Sequence, residues 1–456
     1  MSLPLHFDPV SNGEYLPPRK TRRVATMQEI AWSLVEKGVR RTGMGRRAFL
    51  RSTCGMAACL AAINQASAAT GGSYLLPREA TLDPAAADSV LAGEEFIFDI
   101  QTHHVQPAKT KGWNMGGRYE YIKEIFLDSD TTCAVLSALP AAEEANPLSQ
   151  AEADTTREII ESIGGKSPRL WVHALVTPNY GEVKRHLDGM EAVSKKHKIA
   201  AWKLYTLLGP GGKGFWHDDE KLGIPVIEKA RELGIKLICT HKGFPFGKLP
   251  ERYDTAKDIG VVAKRFPDVN FIVYHSGFIP KVKEGPYDAG KAEEGVNALI
   301  KSLEDNGIKP GSNVYAELGS TWWTLMKRPD EAAHVLGKLL KAFGPDHVLW
   351  GTDCLWYGSP QPQIAAFRAF QISDELREKH GYPELTKEVK AKILGLSSAK
   401  VYGVEPKRDL PKIQKDEVEK LKQAYLPDRD PSHRVYGPRT RREFLELLAM
   451  RGGRPA

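Results

Sequence analysis

Short runs of apolar residues that end in polar ones recur along the middle of the sequence. The first of them, from Phe96 to His104, begins with aromatic and β-branched residues and turns polar within a few positions. Runs of this length and composition are typical of buried β-strands. We predict eight such strands, at residues 96–101, 131–138, 170–176, 200–205, 236–240, 270–275, 313–318 and 348–352.

Segments with the periodicity of amphipathic helices lie between these strands. They include residues 151–163, 182–196, 225–233, 254–266, 291–306 and 329–343. Strands that alternate with helices pair in parallel through right-handed crossovers, and eight such units close into a TIM-like (β/α)8 barrel. The alternative is an open, doubly wound α/β sheet, but no glycine-rich fingerprint follows the first strand.

This alternation divides the chain into four parts. We predict a basic leader at residues 1–68, a Pro- and Ala-rich linker at 69–93, the barrel at 94–404, and a peripheral C-terminal helix with a tail at 405–456. A barrel of this length is large enough to bury a substantial core.

The net positive charge of the chain is concentrated in the leader. Residues 1–68 carry ten Lys or Arg and four acidic residues, so they account for +6 of the net charge of +7. The near-neutral remainder argues against a nucleic-acid partner, which needs a basic face on the folded domain.

The apolar runs fall short of the roughly 18 residues that a membrane span needs. The cysteines are scattered, so we interpret those of the barrel as small buried hydrophobic residues.

The leader carries the features of an export signal. Arg46 and Arg47 precede Phe49 and Leu50, an Ala-rich apolar segment follows, and a small-residue cleavage site lies at 66–68. The arginine pair resembles a twin-arginine signal, so we predict a periplasmic or exported protein and the twin-arginine translocation machinery as a partner. The alternative is a cytoplasmic protein with a disordered basic tail. The start codon remains open between Met1 and Met44.

Polar side chains collect where the predicted strands end. In a closed barrel all these ends meet at one mouth, which is where such folds place their chemistry. Imidazole and carboxylate groups together suit one divalent ion, zinc or alternatively manganese, with a position left for water or substrate. Each residue alone also has a structural explanation, such as an ion pair or a turn cap. The residues are Gln101, His103, His104, Lys203, His241, His275, Glu317 and Asp353.

Four short motifs at these ends resemble the amidohydrolase superfamily. They are Asp99-x-Gln-x-His103, Thr240-His241, His275-Ser-Gly277 and Gly351-Thr-Asp353. The resemblance covers about residues 95–404 and is strongest to the amidohydrolase-2 group, which includes aminocarboxymuconate-semialdehyde decarboxylase. It implies that His103, His241 and Asp353 bind the metal. It also implies that Asp353 takes a proton from the activated water, while His275 acts as acid, base or electrophile beside the substrate.

One position departs from that family's pattern, because Gln101 stands where the first imidazole of the pair is expected. A neutral amide oxygen is a weaker zinc ligand than imidazole. Gln101 could coordinate nevertheless, at a site of lower affinity or for a harder metal. A local bulge could instead bring in His104, which otherwise points away by the two-residue period of a strand. A third alternative is that the site no longer binds a metal.

The function that follows is a metal-dependent hydrolase for a small carboxylate, amide, ester or lactone substrate. A metal-dependent non-oxidative decarboxylase on the same scaffold is the first alternative, and a metal-poor exported binding protein without catalytic activity is the second. We predict that Lys203, Glu317 and Trp322 contact the substrate, and we leave open whether the chain forms a homodimer. Other candidates in the surrounding loops are Trp113, Trp216, Lys242, Phe244, Phe246, Trp323 and Trp356.

Overall fold

The computed structural model describes residues 2–67, 71–110, 115–245 and 252–450. Ten strands lie in two sheets. A small antiparallel pair joins β1 (Gly72–Tyr74) to β10 (Phe370–Ile372). The eight strands of the main sheet are β2 (Phe98–Thr102), β3 (Cys133–Leu136), β4 (Leu170–Leu175), β5 (Ala201–Tyr205), β6 (Leu237–His241), β7 (Asn270–Tyr274), β8 (Val314–Glu317) and β9 (Val348–Leu349).

The main sheet is parallel throughout and runs in sequence order from β2 to β9. It closes on itself, because the backbone N–H of Ile100 donates to the carbonyl of Trp350 at 3.1 Å and that of Asp353 to the carbonyl of Gln101 at 2.8 Å. The predicted TIM-like barrel is therefore confirmed, and each predicted strand overlaps an observed one. The open sheet is excluded, since its first and last strands would not be joined.

Helices connect and surround the strands. Those around the barrel are α5 (Arg118–Ile122), α6 (Gln150–Ile163), α7 (Val183–Lys196), α8 (Gly223–Glu232), α9 (Ile259–Arg265), α10 (Gly295–Asn306), α11 (Thr321–Leu325), α12 (Pro329–Phe343), α13 (Gln361–Ala369), α14 (Asp374–His380), α15 (Lys387–Ala391) and α16 (Ser397–Val401). Short 3-10 or π turns lie at Pro107–Lys109, Lys123–Leu127, Pro210–Gly212, His275–Gly277, Ala289–Lys291, Pro345–His347, Lys392–Leu396 and Leu426–Asp428.

Two apolar layers hold the barrel together. Inside it, aromatic and β-branched residues from several strands pack on one another, among them Phe98, Ile272 and Tyr274. A larger layer fills the space between the strands and the surrounding helices. All five cysteines are free and buried, as expected of small apolar side chains.

The segment before the barrel packs against it. Its helices are α1 (Arg22–Thr42), α2 (Arg46–Arg51), α3 (Thr53–Ser67) and α4 (Pro84–Leu91). The Thr21 side chain caps α1, which ends at Gly43 in the left-handed conformation that glycine tolerates. Along α3, nine residues from Cys54 to Ile63 are buried. The predicted leader thus contributes a layer of the folded protein.

The features of the export signal lie within this layer. Arg46 and Arg47 are exposed, whereas Phe49 and Leu50 are buried. Ala68 of the predicted cleavage site lies outside the described residues. Among the helices that the structure describes, none is both long and apolar enough to cross a bilayer.

The C-terminal segment forms α17 (Pro406–Ile413), α18 (Glu417–Tyr425) and α19 (Arg441–Met450). Arg169 at the start of β4 makes a buried ion pair with Asp416, the cap of α18, at 2.6 Å. After α18 the chain returns to the barrel mouth, where the backbone N–H groups of Tyr436 and Gly437 both donate to the carbonyl of Trp356.

Candidate active site

Five of the predicted site residues meet at the mouth of the barrel. Gln101 lies in β2, His103 directly follows that strand, His241 ends β6, His275 follows β7, and Asp353 follows β9. None of these residues is more than 1% exposed. Because parallel strands deliver their carboxyl ends to one rim, residues far apart in sequence converge on a single buried cluster.

The three imidazoles are held by backbone carbonyls. His103 Nδ1 lies 2.7 Å from the carbonyl oxygen of Ser137, His241 Nε2 lies 2.8 Å from that of Gly243, and His275 Nδ1 lies 2.6 Å from that of Gly319. Since a carbonyl can only accept, each of these ring nitrogens carries the hydrogen. Burial lowers the pKa of His241 to about 3 and that of His275 to about 4, so both rings are neutral and present a lone pair on the other nitrogen.

Those other nitrogens face carboxylates. His103 Nε2 lies 3.1 Å from Asp353 Oδ1. His241 Nδ1 and His275 Nε2 each lie 3.4 Å from an oxygen of Glu14. Burial by itself would raise the pKa of Asp353, but the hydrogen bond and charge of His103 hold that pKa well below its usual range. The cluster therefore brings electron pairs and negative charge together in a dry interior.

Glu14 was not among the residues predicted from sequence. It belongs to the mouth loop, residues 10–15, which lies over the strand ends and whose side chains are buried. The Asn12 amide donates to Glu14 and, at 2.7 Å, to Asp353 Oδ2. Burial raises the pKa of Glu14 to about 7. The sequence contained one signal of a folded segment here, the alternating apolar residues Leu3, Leu5 and Phe7, which are all buried.

This arrangement fits a divalent cation. One ligand atom each from Glu14, His241 and His275 lies within 4.8 Å of the others. Metal-binding imidazoles commonly donate their second N–H to a backbone carbonyl, as all three rings do here. An imidazole lone pair and a carboxylate oxygen repel each other unless a proton or a cation lies between them. Among the described residues, the buried Oε1 of Gln101 also lacks a hydrogen-bond partner.

Gln101 occupies the first-strand position but turns its amide nitrogen toward the imidazole of His275, at 3.4 Å from Nε2. Its backbone N–H donates to Asp99, whose carboxylate also accepts from the backbone and hydroxyl of Thr352. Asp99 therefore ties the first barrel strand to the segment that follows the last one.

Two predicted residues lie away from the cluster. His104 Nε2 contacts the hydroxyl of Thr156 at 2.9 Å, and its ring packs against Tyr121. The pairing of β2 with β3 does shift its register between Asp99 and Thr102, but this irregularity does not bring His104 into the mouth. The Trp322 indole donates to the Gln363 carbonyl at 2.9 Å and packs among aromatic rings outside the barrel.

Lys203 and Glu317 lie inside the barrel close to the histidines. Lys203 Nζ is 3.3 Å from the centroid of the Tyr274 ring and has no hydrogen-bond partner among the described residues, and burial lowers its pKa to about 8. Glu317 accepts from the backbone N–H groups of His275 and Gly319, and burial raises its pKa to about 8. Lys203 is thus a cation available to a ligand, whereas Glu317 positions His275.

The backbone is strained at the mouth. Among the non-glycine residues that the structure describes, seven have a positive φ, and five of these surround the cluster. Such conformations cost about 1–3 kcal/mol each and gather where surrounding structure requires them, commonly at active sites. The five are Phe244, His275, Ser276, Ser320 and Asp353.

A second residue that sequence reasoning missed is Ser320, whose hydroxyl bonds to Asp353 Oδ2 and lies 2.6 Å from the hydroxyl of Tyr357. Phe244, one of the predicted loop aromatics, packs its ring on His275 at 5.0 Å. Trp113 and Phe246 of the same prediction lie outside the described residues.

The sequence profile of the amidohydrolase family matches residues 98–404, which is the whole barrel. The chain belongs to the amidohydrolase family. The predicted family and the prediction that the protein is an enzyme are thereby confirmed. No curated protein matches the sequence.

Solved structures of amidohydrolase-type enzymes are similar to this chain at low identity. The 5-carboxyvanillate decarboxylase of Sphingomonas paucimobilis is 12% identical with a TM-score of 0.40, over 68% of this chain and 99% of that one. An amidohydrolase of Mycobacterium avium subsp. paratuberculosis K-10 is 12% identical with a TM-score of 0.40, over 69% and 99%. Dihydropyrimidinase of Brevibacillus agri NCHU1002 is 14% identical with a TM-score of 0.39, over 69% and 72%. Likenesses at these TM-scores add no argument about this amidohydrolase's reaction.

Proposed function

We propose that this amidohydrolase is a metal-dependent hydrolase that cleaves an amide, ester or lactone bond in a small carboxylate substrate. One observation carries the proposal, namely the three buried imidazoles whose inward nitrogens meet the carboxylates of Glu14 and Asp353. Metal-dependent hydrolysis uses a cation that activates water and a base beside that water, and this cluster contains ligands for the cation and a candidate for the base.

The candidate ligands are His103, His241, Asp353 and Glu14. A divalent ion bound there would polarise a carbonyl group and lower the pKa of water. We propose zinc because it accepts mixed imidazole and carboxylate ligands, and manganese is the alternative because two of the four candidate ligands are carboxylates.

The protein groups have separate tasks in this scheme. Asp353 accepts a proton from the attacking water, and the hydrogen bonds from Asn12 and Ser320 orient its other oxygen. Because the hydrogen of His275 is held on Nδ1 by the Gly319 carbonyl, its Nε2 carries a lone pair. That nitrogen accepts the proton that the water has given to Asp353 and passes it to the leaving group as the bond to that group breaks.

Lys203 suggests the substrate class. A buried ammonium without a hydrogen-bond partner among the described residues is stabilised by an anionic ligand, since burial of an uncompensated charge is costly. We therefore propose that Lys203 binds the carboxylate of the substrate. Glu317 and Trp322 contribute only indirectly, through the backbone of His275 and through packing.

The deciding experiment is elemental analysis of the full chain purified without added metal or chelator, as wild type, His241→Ala and His380→Ala. His380 lies on α14, far from the cluster in the fold, and serves as the matched control. We expect about one equivalent of metal in the wild type and in the control, and loss of it in His241→Ala. A wild type that takes up no metal on titration would overturn the proposed metal dependence.

Product analysis then separates hydrolysis from decarboxylation. Incorporation of oxygen from labelled water into the product supports the hydrolase, whereas release of carbon dioxide without consumption of water identifies the decarboxylase.

We also propose export through the twin-arginine pathway to the periplasm, supported by Arg46 and Arg47 ahead of an apolar segment. That pathway carries folded proteins, and the arginine pair is exposed on the folded chain although Phe49 and Leu50 are buried. Cell fractionation with the wild type and an Arg46→Lys, Arg47→Lys variant tests it: equal distribution of the two between cytoplasm and periplasm would favour the cytoplasmic alternative.

A further inference from the structure

The position of Glu14 bears on the departure at Gln101. In the family's pattern the first strand supplies two imidazoles, and here it supplies His103 and a neutral amide. The amide nitrogen of Gln101 faces His275, and its Oε1, which lacks a hydrogen-bond partner among the described residues, is neutral and a weaker ligand than imidazole. A metal centre with this first strand needs a further anionic or imidazole ligand from elsewhere.

Glu14 reaches the cluster from outside the barrel. Its Oε1 lies 3.4 Å from His241 Nδ1, and its Oε2 lies 3.4 Å from His275 Nε2. Both carboxylate oxygens therefore stand opposite imidazole nitrogens that are buried and fixed from behind by backbone carbonyls. An oxygen ligand in this place serves a divalent cation directly.

The mouth loop is built to hold that carboxylate. The side chain of Asn12 accepts from the backbone N–H of Glu14 at 3.0 Å, Gly13 N donates to the Ser11 hydroxyl at 2.9 Å, and the Tyr15 hydroxyl donates to the Val10 carbonyl at 2.7 Å. These bonds fix the turn internally, and Glu14 itself is only 2% exposed.

Two other parts of the molecule clamp the loop. The backbone N–H of Ser11 donates to the carbonyl of Pro438 at 2.9 Å, so the C-terminal segment holds one side. The Tyr15 ring packs on Phe244 at 5.0 Å, and Phe244 packs on His275. The loop is thus joined to the cluster through side chains as well as through Glu14.

We propose that Glu14 is a metal ligand that takes over the place of the imidazole missing at position 101, which makes the mouth loop part of the metal centre. This inference rests on the proposed metal-dependent function. It follows that an active protein retains residues 10–15, so exported protein is active only if cleavage at 66–68 does not remove them.

The test is titration of metal-free full chain with Co²⁺, followed by visible absorption and by competition with a chelator. The variants are Glu14→Gln, which removes the charge and keeps the size, and Glu29→Gln, a control on the exposed face of α1. We expect at least tenfold weaker Co²⁺ binding and an altered absorption band in Glu14→Gln, and no change in Glu29→Gln.

The opposing possibility is that Glu14 is a plug that occupies the place of the ion. Unchanged or tighter Co²⁺ binding by Glu14→Gln, with an unaltered band, would establish the plug and overturn the proposal. That result leaves the metal-dependent function intact, whereas absence of Co²⁺ binding by the wild type would overturn both.

Adding Gln101→His to Glu14→Gln gives a second test. If the two positions serve the same coordination place, the imidazole restores Co²⁺ affinity that Glu14→Gln alone has lost. Thermal unfolding would check that the double variant is folded. If the folded double variant still binds Co²⁺ weakly, the two positions do not serve the same coordination place. Should Glu14→Gln fail to fold, Glu14→Asp keeps the charge on a shorter side chain and is expected to bind Co²⁺ with intermediate affinity.

Discussion

The two sides of the mouth are built in different ways. On the barrel side, His241 and the residues after β7 and β9 continue strands whose backbones are bonded on both flanks within a closed sheet. On the other side, residues 10–15 belong to no sheet or helix, and the loop is held by side-chain hydrogen bonds and one backbone bond to Pro438. The whole sheet therefore fixes the residues on the barrel side, whereas a few separate contacts fix the mouth loop.

This difference suggests a division of labour. A closed barrel holds imidazoles in fixed geometry, which a reaction centre needs. A loop with few backbone bonds opens at low free-energy cost, and such segments commonly admit substrates. Because His103, His241, His275 and Asp353 are all buried, a substrate can reach them only if some part of the cover moves. Among the described backbone hydrogen bonds, the mouth loop has one to the rest of the chain, from Ser11 to Pro438, which makes the loop a candidate for that movement.

The largest expected effect comes from the barrel side. Replacing Asp353 by Asn removes the proton acceptor and one anionic ligand while it keeps the shape, so turnover should fall by about 10³-fold or more. Steady-state kinetics on a substrate found by screening would measure it, with Asp330→Asn at the start of α12 as a control. Near-normal turnover in Asp353→Asn would show that the barrel side is not where the chemistry occurs.

Removal of the metal should separate the two sides. Without a cation, the carboxylate of Glu14 faces the lone pairs of the His241 and His275 imidazoles and is no longer stabilised there. The barrel strands keep their hydrogen bonds. We expect amide exchange of residues 2–15 to quicken about tenfold on chelation, a change of about 1.4 kcal/mol, with β6 and β7 unaffected. Hydrogen-exchange mass spectrometry measures both. An equal response on the two sides would remove the distinction between loop and barrel.

The smallest effect concerns one bond of the loop. Tyr15→Phe deletes the hydroxyl that donates to the Val10 carbonyl and keeps the ring on Phe244. A hydrogen bond of this kind contributes about 1 kcal/mol. Chemical denaturation should show a loss of that size, with Tyr119→Phe, whose side chain is 79% exposed, as the unaffected control. A loss of several kcal/mol would mean that the loop is coupled to the barrel core.

The same contrast explains which residues could be predicted from the sequence. His241 and Asp353 follow recognisable strands, and barrel geometry brings the ends of such strands together whatever their separation. Glu14 is a single acid in a segment whose basic and apolar composition resembles an export leader. Its approach depends on contacts such as that of Asn12 with Asp353, which are 341 positions apart. No local periodicity encodes contacts of this range.

Two predicted residues illustrate the limits of side-chain direction. His104 is adjacent to His103, and neighbours along an extended chain point to opposite sides, so it lies against Tyr121. Trp322 follows β8, the seventh strand of the barrel, closely enough to suggest the mouth, but α11 turns its ring outward onto Phe367 and Phe370. Sequence spacing alone does not determine where a short helix directs its residues.

The pairing of distant segments at the mouth has a consequence for synthesis. Ser11 binds Pro438, and His6 contacts the carbonyl of His433, 427 positions further on. At roughly 5–20 residues per second, a ribosome needs about half a minute to a minute and a half to make a chain of this length. Until residues 433–438 have been made, the early segment lacks its contacts with the C-terminal segment. The mouth of the nascent barrel therefore lacks part of its cover, and for the metal centre proposed above this interval is when an ion would reach the ligands most easily.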